Sequence, residues 1–500
     1  MKYILSAEQM RTLDTYTSES IGVSSAVLME RAALAAAEEI RSSGFDTSRI
    51  LIVCGMGNNG ADGLALARII NRFYKPDVYL AGAYKHLKGL VKTQYDSAAR
   101  SRVRFVTDPD FSNYTIIVDA LFGTGLAREI DGQMLDTVNK INESGAKVVA
   151  LDMPSGVDAT SGKILGAAVN ADLTVSFAYA KLGQVLYPGV QKCGILHVRD
   201  IGIYADLCDK AGALAFTYTQ KDLALIPARK KYSNKGSYGR VLVIAGSETM
   251  SGAALLAAKA AYKSGCGIVE VFTHKSVSDV IRKTLPEAIV TTYDNGRVDF
   301  SKLYQSVNAA SAVVIGPGLS KSDNAKKILR YTLESLAGCA VIDADALNII
   351  AETPDLLNYI KGKIITPHLG EMSRLIGKSI PEISKDLIAS AKDFSEKFGC
   401  ICVLKDTRTV VAVPGQPIFI NTAGNSGMAK GGSGDTLAGI IASLLSQGLE
   451  SADAARLGVY LHAYAGDLAA DEHGEYAMLA SDISEAVGRV MSEQYHNSET

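Results

Sequence analysis

Residues 421–441 read NTAGNSGMAKGGSGDTLAGII, with Gly431, Gly432, Ser433 and Gly434 directly ahead of Asp435 and the apolar Leu437, Ala438, Ile440 and Ile441 behind it. Glycines let backbone N–H groups turn toward one point, and at a helix N-terminus such donors form an anion site. A carboxylate inside an anion-binding loop is electrostatically costly unless it has a task, such as taking the proton of a hydroxyl held beside a phosphate. Asp435 reads as that base; the alternative is a plain N-capping aspartate.

Further clusters carry reactive groups. Gly55-Met56-Gly57-Asn58-Asn59-Gly60-Ala61-Asp62-Gly63 follows the β-rich run RILIVC at 49–54. Its glycine spacing is not GxGxxG, and the acidic residue due about 20 positions later is missing, which disfavours a plain nicotinamide dehydrogenase. The side-chain oxygens of Asn58 and Asn59, with Asp119 and Ser155, suit a weakly held hard cation, although Asn-Asn-Gly could equally be a turn. Asp152, ahead of Pro154 and Ser155, is either an acid/base group at a strand end or an Asx-turn residue. In the second half GPGLS (316–320), DADALN (343–348) and TPHLGEM (366–372) each follow an expected strand. Asp343 and Asp345 could hold magnesium directly or through water. His368 and Glu371 share the last of these loops, His368 serving either structure or chemistry. Lys405, Asp406, Thr407, Arg408 and Thr409 form either a simple β-turn or a set of donors for a nucleotide's phosphate or ribose.

These loops need a scaffold that brings them to one edge. Strands expected at 49–54, 78–81, 114–119 and 147–151, three of them (49–54, 114–119 and 147–151) leading into a polar or glycine-rich loop, with a helix at 64–73, describe an open, doubly wound α/β sheet. The helical spacing of apolar residues over 6–40 precedes them. The alternation weakens over 205–227, and the basic run at 228–236 reads as a solvated linker. A second α/β unit starts at Gly239, with strands expected from there and at 267–272, 312–316, 340–343, 363–366 and 401–405, and a helix at 252–264. The boundary falls near residue 220, giving two α/β domains, 1–215 and 216–500.

Length and composition agree with this. Five hundred residues exceed one hydrophobic core, and 47% hydrophobic content is ample for burial. With 51 basic and 53 acidic residues the net charge of −2 leaves no electrostatic footprint for nucleic acid or an anionic membrane. Small molecules are the expected partners. Seven scattered cysteines, odd in number and without a CxxC pair, speak against a metal knuckle or disulfide framework and for a reducing, cytoplasmic setting; Cys400 and Cys402 read as small apolar residues on one strand face. The N-terminus turns polar by Ser6, too early for a signal peptide. No run approaches the 18 or so apolar residues of a membrane helix, so a soluble chain is expected.

Taken together, the motifs resemble those of the bifunctional NAD(P)H-hydrate repair enzymes over nearly the whole chain. The first 215 residues are similar to the NAD(P)H-hydrate epimerase domain through SAEQMRTLD, VLMERA, GNNGADGLALAR, VDALFGTGL and LDMPSGVDA. The remainder is similar to the ADP- or ATP-dependent NAD(P)H-hydrate dehydratase domain of the ribokinase-like superfamily through GRVLVIAGS, GPGLS, IDADALN, TPHLGEMSRL and NTAGNSGMAKGGSGDTLAGI. The resemblance implies a Rossmann-like three-layer α/β/α domain followed by a ribokinase-like α/β domain. It implies that one half interconverts the R and S hydrates. The other half phosphorylates the ring hydroxyl of the S form and expels phosphate, giving NADH or NADPH with AMP or ADP. Carried over residue by residue, Asn58, Asn59, Gly60, Ala61, Asp62, Gly123, Thr124, Gly125, Leu126, Ala127, Arg128, Glu129 and Asp152 surround the hydrate in the epimerase. Asp152 is its acid/base group, and Asn59, Asp119 and Ser155 bind potassium. In the dehydratase Ala253, Gly318, His368 and Asp435 face the S hydrate, Asp435 is the base, and Lys405, Asp406, Thr407, Arg408, Thr409 and Gly434 contact the nucleotide, with magnesium bridging phosphates. A homo-oligomer is expected. The chain departs from the family pattern at Ala61, where a glycine is usual and whose methyl would tighten the approach of a phosphate, and at Met250, Ser320 and Ser426. A small-molecule kinase, which shares the GxGD loop, is the rival reading, and a first half that binds without turnover is a second.

Overall fold

The computed structural model describes residues 1–204, 208, 212 and 214–497; the stretch 205–227, where the alternation weakens, therefore lies partly outside the described residues. The chain divides into two compact units, Lys2–Ala215 and Phe216–Thr500.

In the first unit, short apolar runs form strands β1 (Lys2–Leu5), β2 (Ile50–Cys54), β3 (Asp77–Leu80), β4 (Arg104–Val106), β5 (Ile116–Ala120), β6 (Lys147–Leu151), β7 (Leu173–Phe177), β8 (Ala180–Lys181) and β9 (Ile195–Arg199). Seven of them form one sheet in the order β4-β3-β2-β5-β6-β7-β9, every pairing parallel. The central strands β2, β5 and β7 are buried at every residue, as a parallel sheet covered on both faces requires. The order runs outward from β2 in one direction and from β5 in the other. Connections therefore leave the β2/β5 pair on opposite faces, and a crevice opens at the carboxyl ends of these two strands. The periodic stretch over 6–40 is strand β1 and two helices, Ala7–Glu19 and Ser25–Ser42. Ser6 starts the first with a capping box: its hydroxyl accepts from the Gln9 N–H at 3.2 Å while its own N–H donates to Gln9 Oε1 at 2.9 Å.

One element differs from the sequence reading. The helix expected at 64–73 starts six residues earlier and spans Asn58–Ile70, so most of the glycine-rich stretch is helical and not a loop. Its glycines serve close packing. A Cβ on Gly60 would sit 1.9 Å from the Gly55 carbonyl oxygen, and one on Gly63 would sit 2.6 Å from the Ala120 Cβ. Both positions let the helix lie directly on β2 and β5.

The second unit follows a short strand β10 (Ala215–Thr217) and contains β11 (Arg240–Ile244), β12 (Ile268–His274), β13 (Ile289–Tyr293), β14 (Ala312–Ile315), β15 (Cys339–Ile342), β16 (Ile364–Ile365), β17 (Ile401–Leu404), β18 (Val410–Ala412) and β19 (Ile418–Ile420). The order β13-β12-β11-β14-β15-β16-β17 is parallel throughout, and β18 and β19 extend it antiparallel. Here too the order reverses, between β11 and β14. Helix Ser433–Ser446 packs on helix Ser251–Lys263 so closely that a Cβ on Gly439 would meet the Ala257 carbonyl oxygen at 2.2 Å. The basic run at 228–236 is solvated, yet anchored: the Arg229 guanidinium lies 3.8 Å from the Tyr238 ring centroid and donates to the Gly265 carbonyl at 3.0 Å. None of the seven cysteines, all among the described residues, is in a disulfide. Among the described residues no helix is long and apolar enough to cross a membrane.

Candidate active sites

The crevice at the β2/β5 switch point is a cleft of about 620 Å³. Its floor and walls include Asn58, Asn59 and Asp62 from helix Asn58–Ile70, Gly123, Thr124, Gly125, Leu126 and Arg128 from the loop after β5, and Asp152 from the end of β6. Of the residues singled out from sequence, Gly60, Ala61, Ala127 and Glu129 do not line it. Ala61 is completely buried in the hydrophobic core, so its methyl faces packing and not a ligand, which corrects the expectation drawn from the missing glycine.

Asp152 occupies a backbone conformation rare for a side-chain-bearing residue, with φ +62°. Surrounding contacts hold it there. Its N–H donates to the Val175 carbonyl at 2.8 Å, and its carbonyl accepts from Gln184 Nε2 at 2.6 Å. Its carboxylate is ion-paired with Lys181, whose side chain is entirely buried. That ammonium spends its other two hydrogens on Ser176 Oγ at 2.9 Å and the Phe177 carbonyl at 3.0 Å. All three donors of the lysine are thus satisfied, and the Asx-turn alternative for Asp152 falls away. Lys181 was not legible as a site residue; the one signal is a lone charge inside the run FAYAKLGQVL.

Asp14 is a second group that sequence reading passed over. It sits on helix Ala7–Glu19 and faces the cleft with Arg11. Although its side chain meets solvent in the cleft, the mass of protein enclosing that space, then the Asp152 charge, push its carboxyl up to about 6 against the pull of Lys181. Burial, then Asp152 and Asp14, push Asp62 well above the usual carboxylate range.

Asp119 is completely buried at the end of β5. It accepts from the Ser155 N–H at 2.8 Å, the Ser155 hydroxyl at 2.6 Å and the Leu121 N–H at 3.2 Å. Burial raises it to about 6 in spite of those bonds. The Asn59 amide is buried with neither its oxygen nor its nitrogen partnered. An orphaned buried amide is uncommon and calls for a ligand.

In the second unit the carboxyl ends of β14, β15, β16 and β17 converge on the N-terminus of helix Ser433–Ser446. Lys405, just past β17, donates its N–H to the Pro367 carbonyl at 2.8 Å and its ammonium to Asp343 Oδ1 at 2.7 Å. A Cβ on Gly434 would stand 3.2 Å from that ammonium and 3.8 Å from Asp343 Oδ2. The helix is capped by Gly432 in the left-handed conformation, φ +95°, with Asp435 at its third position; Asp435 is not the N-cap. Burial, then the Asp343 charge, push Asp435 up to about 7, with Lys405 opposing. Desolvation works against the Lys405 charge, but Asp343, Glu371 and Asp435 outweigh it and raise the ammonium.

His368 caps helix Leu369–Ile376, its Nδ1 accepting from the Gly370 N–H at 2.9 Å and its Nε2 lying 3.3 Å from Glu371 Oε1. Desolvation, then Lys405 and Arg374, lower it, so the ring is neutral near pH 7. Asp345 accepts from the Ser320 N–H at 2.8 Å. Ser320 itself takes φ +65°, a left-handed conformation that favours glycine. Gly318, at φ +57°, would place a Cβ 2.9 Å from those of Ala253 and Met250, so these loops meet backbone to backbone. Of the hairpin residues, Asp406 and Thr407 are exposed at the turn and Arg408 is tied to the Thr422 carbonyl at 3.0 Å.

Both units have counterparts among known proteins. Residues 241–489 match the NAD(P)H-hydrate dehydratase family, and residues 25–183 match the family described as YjeF-related protein N-terminus. The bifunctional NAD(P)H-hydrate repair enzyme of Coxiella burnetii is 38% identical over 97% of this chain and 98% of its own, and that of Escherichia coli is 33% identical over 97% and 93%. Among solved structures, a ribokinase-like superfamily protein from Enterococcus faecalis is 31% identical with a TM-score of 0.52, covering 56% of this chain and 96% of that one. The chain belongs to the bifunctional NAD(P)H-hydrate repair enzymes, which epimerise hydrated nicotinamide nucleotides and dehydrate them at the expense of an adenine nucleotide.

Proposed function

We propose that the cleft of the first unit is the epimerase site and the helix N-terminus at Ser433 the dehydratase site, so that 1–215 and 216–500 are the two catalytic domains. The observation that carries this assignment is the position of Asp435: inside a ring of donors suited to phosphate, beside the Lys405–Asp343 pair, and raised to about 7, where a base is most effective near neutral pH. Asp435 takes the proton of the ring hydroxyl of the S hydrate as that oxygen attacks the terminal phosphoryl group. The N–H of Gly434 and the Lys405 ammonium face the charge that moves with the phosphoryl group. Ala253, Gly318 and His368 line the hydrate; Lys405, Asp406, Thr407, Arg408 and Thr409 take the nucleotide, ADP or ATP.

Magnesium fits the second site in one way. Asp343 is committed to Lys405 and Asp345 to the Ser320 N–H, while Asp343, Asp345, Glu371 and Asp435 outnumber Lys405 and Arg374. That excess suits a divalent ion held through water and nucleotide phosphates, where it neutralises phosphate charge. Potassium fits the first site through the unpartnered Asn59 oxygen, with Asp119 and Ser155 as the other donors; it would order the loop that frames the substrate. Free thiols support a cytoplasmic setting, and exposed Ile195 and Val198 on edge strand β9 support a homo-oligomer.

Absorbance recovery at the reduced-nicotinamide band, on mixed R and S NADH hydrate with ADP and ATP in separate reactions, tests the assignment. The parent recovers the whole mixture. Asp435→Asn recovers none while still equilibrating R and S. Nucleotide-dependent recovery by that variant near the parent rate would remove Asp435 as the base.

A further inference from the structure

The epimerase cleft holds more proton-transfer groups than Asp152. Helix Ala7–Glu19 turns Arg11, Asp14 and Ser18 to it at i, i+3 and i+7, so one face of that helix is a wall of the site. Asp152 reaches the same space from the sheet edge with Lys181 behind it. Asp62, from helix Asn58–Ile70, is the third carboxyl, and Arg11 and Arg128 are the other charged groups lining the space. Of these, Asp14 and Asp62 are the two whose carboxyls are raised, by the protein enclosing the space and by the Asp152 charge, and so hold a proton more readily than a free carboxyl.

We propose that Asp14 is the second acid/base group of the epimerisation, passing a proton to the substrate from the helix wall while Asp152, positioned by Lys181, accepts one at the sheet edge. This rests on the reading of the cleft as the epimerase site with Asp152 in it. The hydrated ring carbon carries a hydroxyl and is bonded to the ring nitrogen. As Asp14 protonates the hydroxyl, the C–O bond breaks, the nitrogen lone pair forms C=N, and the oxygen leaves as water. A water on the opposite face then bonds to the carbon, the C=N pair returns to nitrogen, and the surplus proton goes to Asp152. One proton leaves Asp14 and one arrives at Asp152, so the balance is closed. The pair finishes in the protonation state that the reverse reaction starts from, and the same two groups therefore serve R→S and S→R. Asp14 is suited to this by its access to the cleft and by a carboxyl lifted to about 6.

The test follows conversion of the pure R hydrate by full-length enzyme without nucleotide, so that dehydration is silent. Asp14→Asn should lower kcat about 100-fold with little change in KM. It should also remove the fall in parental kcat above about pH 6, and Asp14→Glu should restore part of the rate. Dehydration of S hydrate by Asp14→Asn, assayed separately, should match the parent and show that the chain is folded. In ¹⁸O-labelled water the parent should place label on the hydrated carbon of each molecule converted. Retention of the original oxygen would overturn the proposal without any variant. So would an Asp14→Asn enzyme that keeps more than half the parental kcat while Asp152→Asn is inactive; if Asp152→Asn is fully active as well, the reading of the cleft falls with it.

Discussion

The charge network around Asp435 makes its pH dependence adjustable in both directions. Asp343 raises the Asp435 carboxyl and Lys405 lowers it, and these two groups are paired with each other 2.7 Å apart beside Gly434. Two unit charges about 6 Å apart at an effective dielectric of about 20 interact by roughly 3 kcal/mol, or about two pKa units. Halving this for solvent in the open site leaves about one unit per substitution. A base titrating near 7 is ~9% ionised at pH 6, and lowering its pKa to ~6 makes it ~50% ionised, a gain of about fivefold. Asp343→Asn should therefore raise the rate at pH 6 about fivefold relative to its own alkaline plateau. Lys405→Met should lower the rate at pH 7 about fivefold relative to its plateau, moving the acid limb the other way. The assay is kcat on S hydrate at saturating nucleotide from pH 5.5 to 9.5, each enzyme normalised to itself. Phosphate ionisations of the nucleotide are common to the three enzymes and cancel. An acid limb that stays fixed in both variants, or moves the same way in both, would refute Asp435 as the titrating base.

Other outcomes follow from the first unit. Gly60→Ala drives a methyl into the Gly55 carbonyl and should destabilise that unit by on the order of 3 kcal/mol, read as a lowered denaturant midpoint while dehydratase activity persists. Ala61→Gly should cost about 1 kcal/mol of helix stability and leave the epimerase kcat unchanged, since the methyl lies in the core; a faster epimerase would contradict this. Asp62 is raised well above its unfolded pKa, so the native state binds more protons and stability falls as pH climbs from about 4 through the folded pKa. Asp62→Asn should remove that loss, and the stabilities of parent and variant should diverge toward high pH in denaturant titrations.

Much of the architecture was readable because parallel strands buried on both faces announce themselves as apolar runs: β2 and β14 are unbroken cases, and β5, β6 and β11 each carry a single charged residue. The loops after them carry most of the site, since an open parallel sheet gathers its carboxyl ends on one edge. Strands β7 and β9 were not legible. The former (LTVSF) mixes hydroxyl side chains into its run, and the latter (ILHVR) is an edge strand with no buried residue and two charged or polar side chains. The start of helix Asn58–Ile70 was misplaced because glycine was taken as freedom to turn, when at Gly60 and Gly63 it is room for a neighbouring strand. Lys181 escaped because burial of a lysine is decided by its partners: Asp152 comes from a distant segment, and Ser176 and Phe177, though close in sequence, meet it only through the turn that follows β7. Asp14 carries a legible pattern, Arg11 and Ser18 on the same helix face, but no spacing tells which face of a helix looks into a cleft.

Strand β1 and helix Ala7–Glu19 belong to the first compact unit. The family match in the first unit opens at residue 25, past helix Ala7–Glu19 and past β1. Yet β1 is the strand that pairs with β8, placing Leu5 opposite Lys181, the lysine that holds Asp152. A fragment cut at residue 25 would keep the whole seven-stranded sheet and lose both the helix bearing Asp14 and the strand beside Lys181. Such a fragment would keep Asp152 and Lys181 but lose the helix wall on one side of the cleft and the strand that pairs beside the lysine.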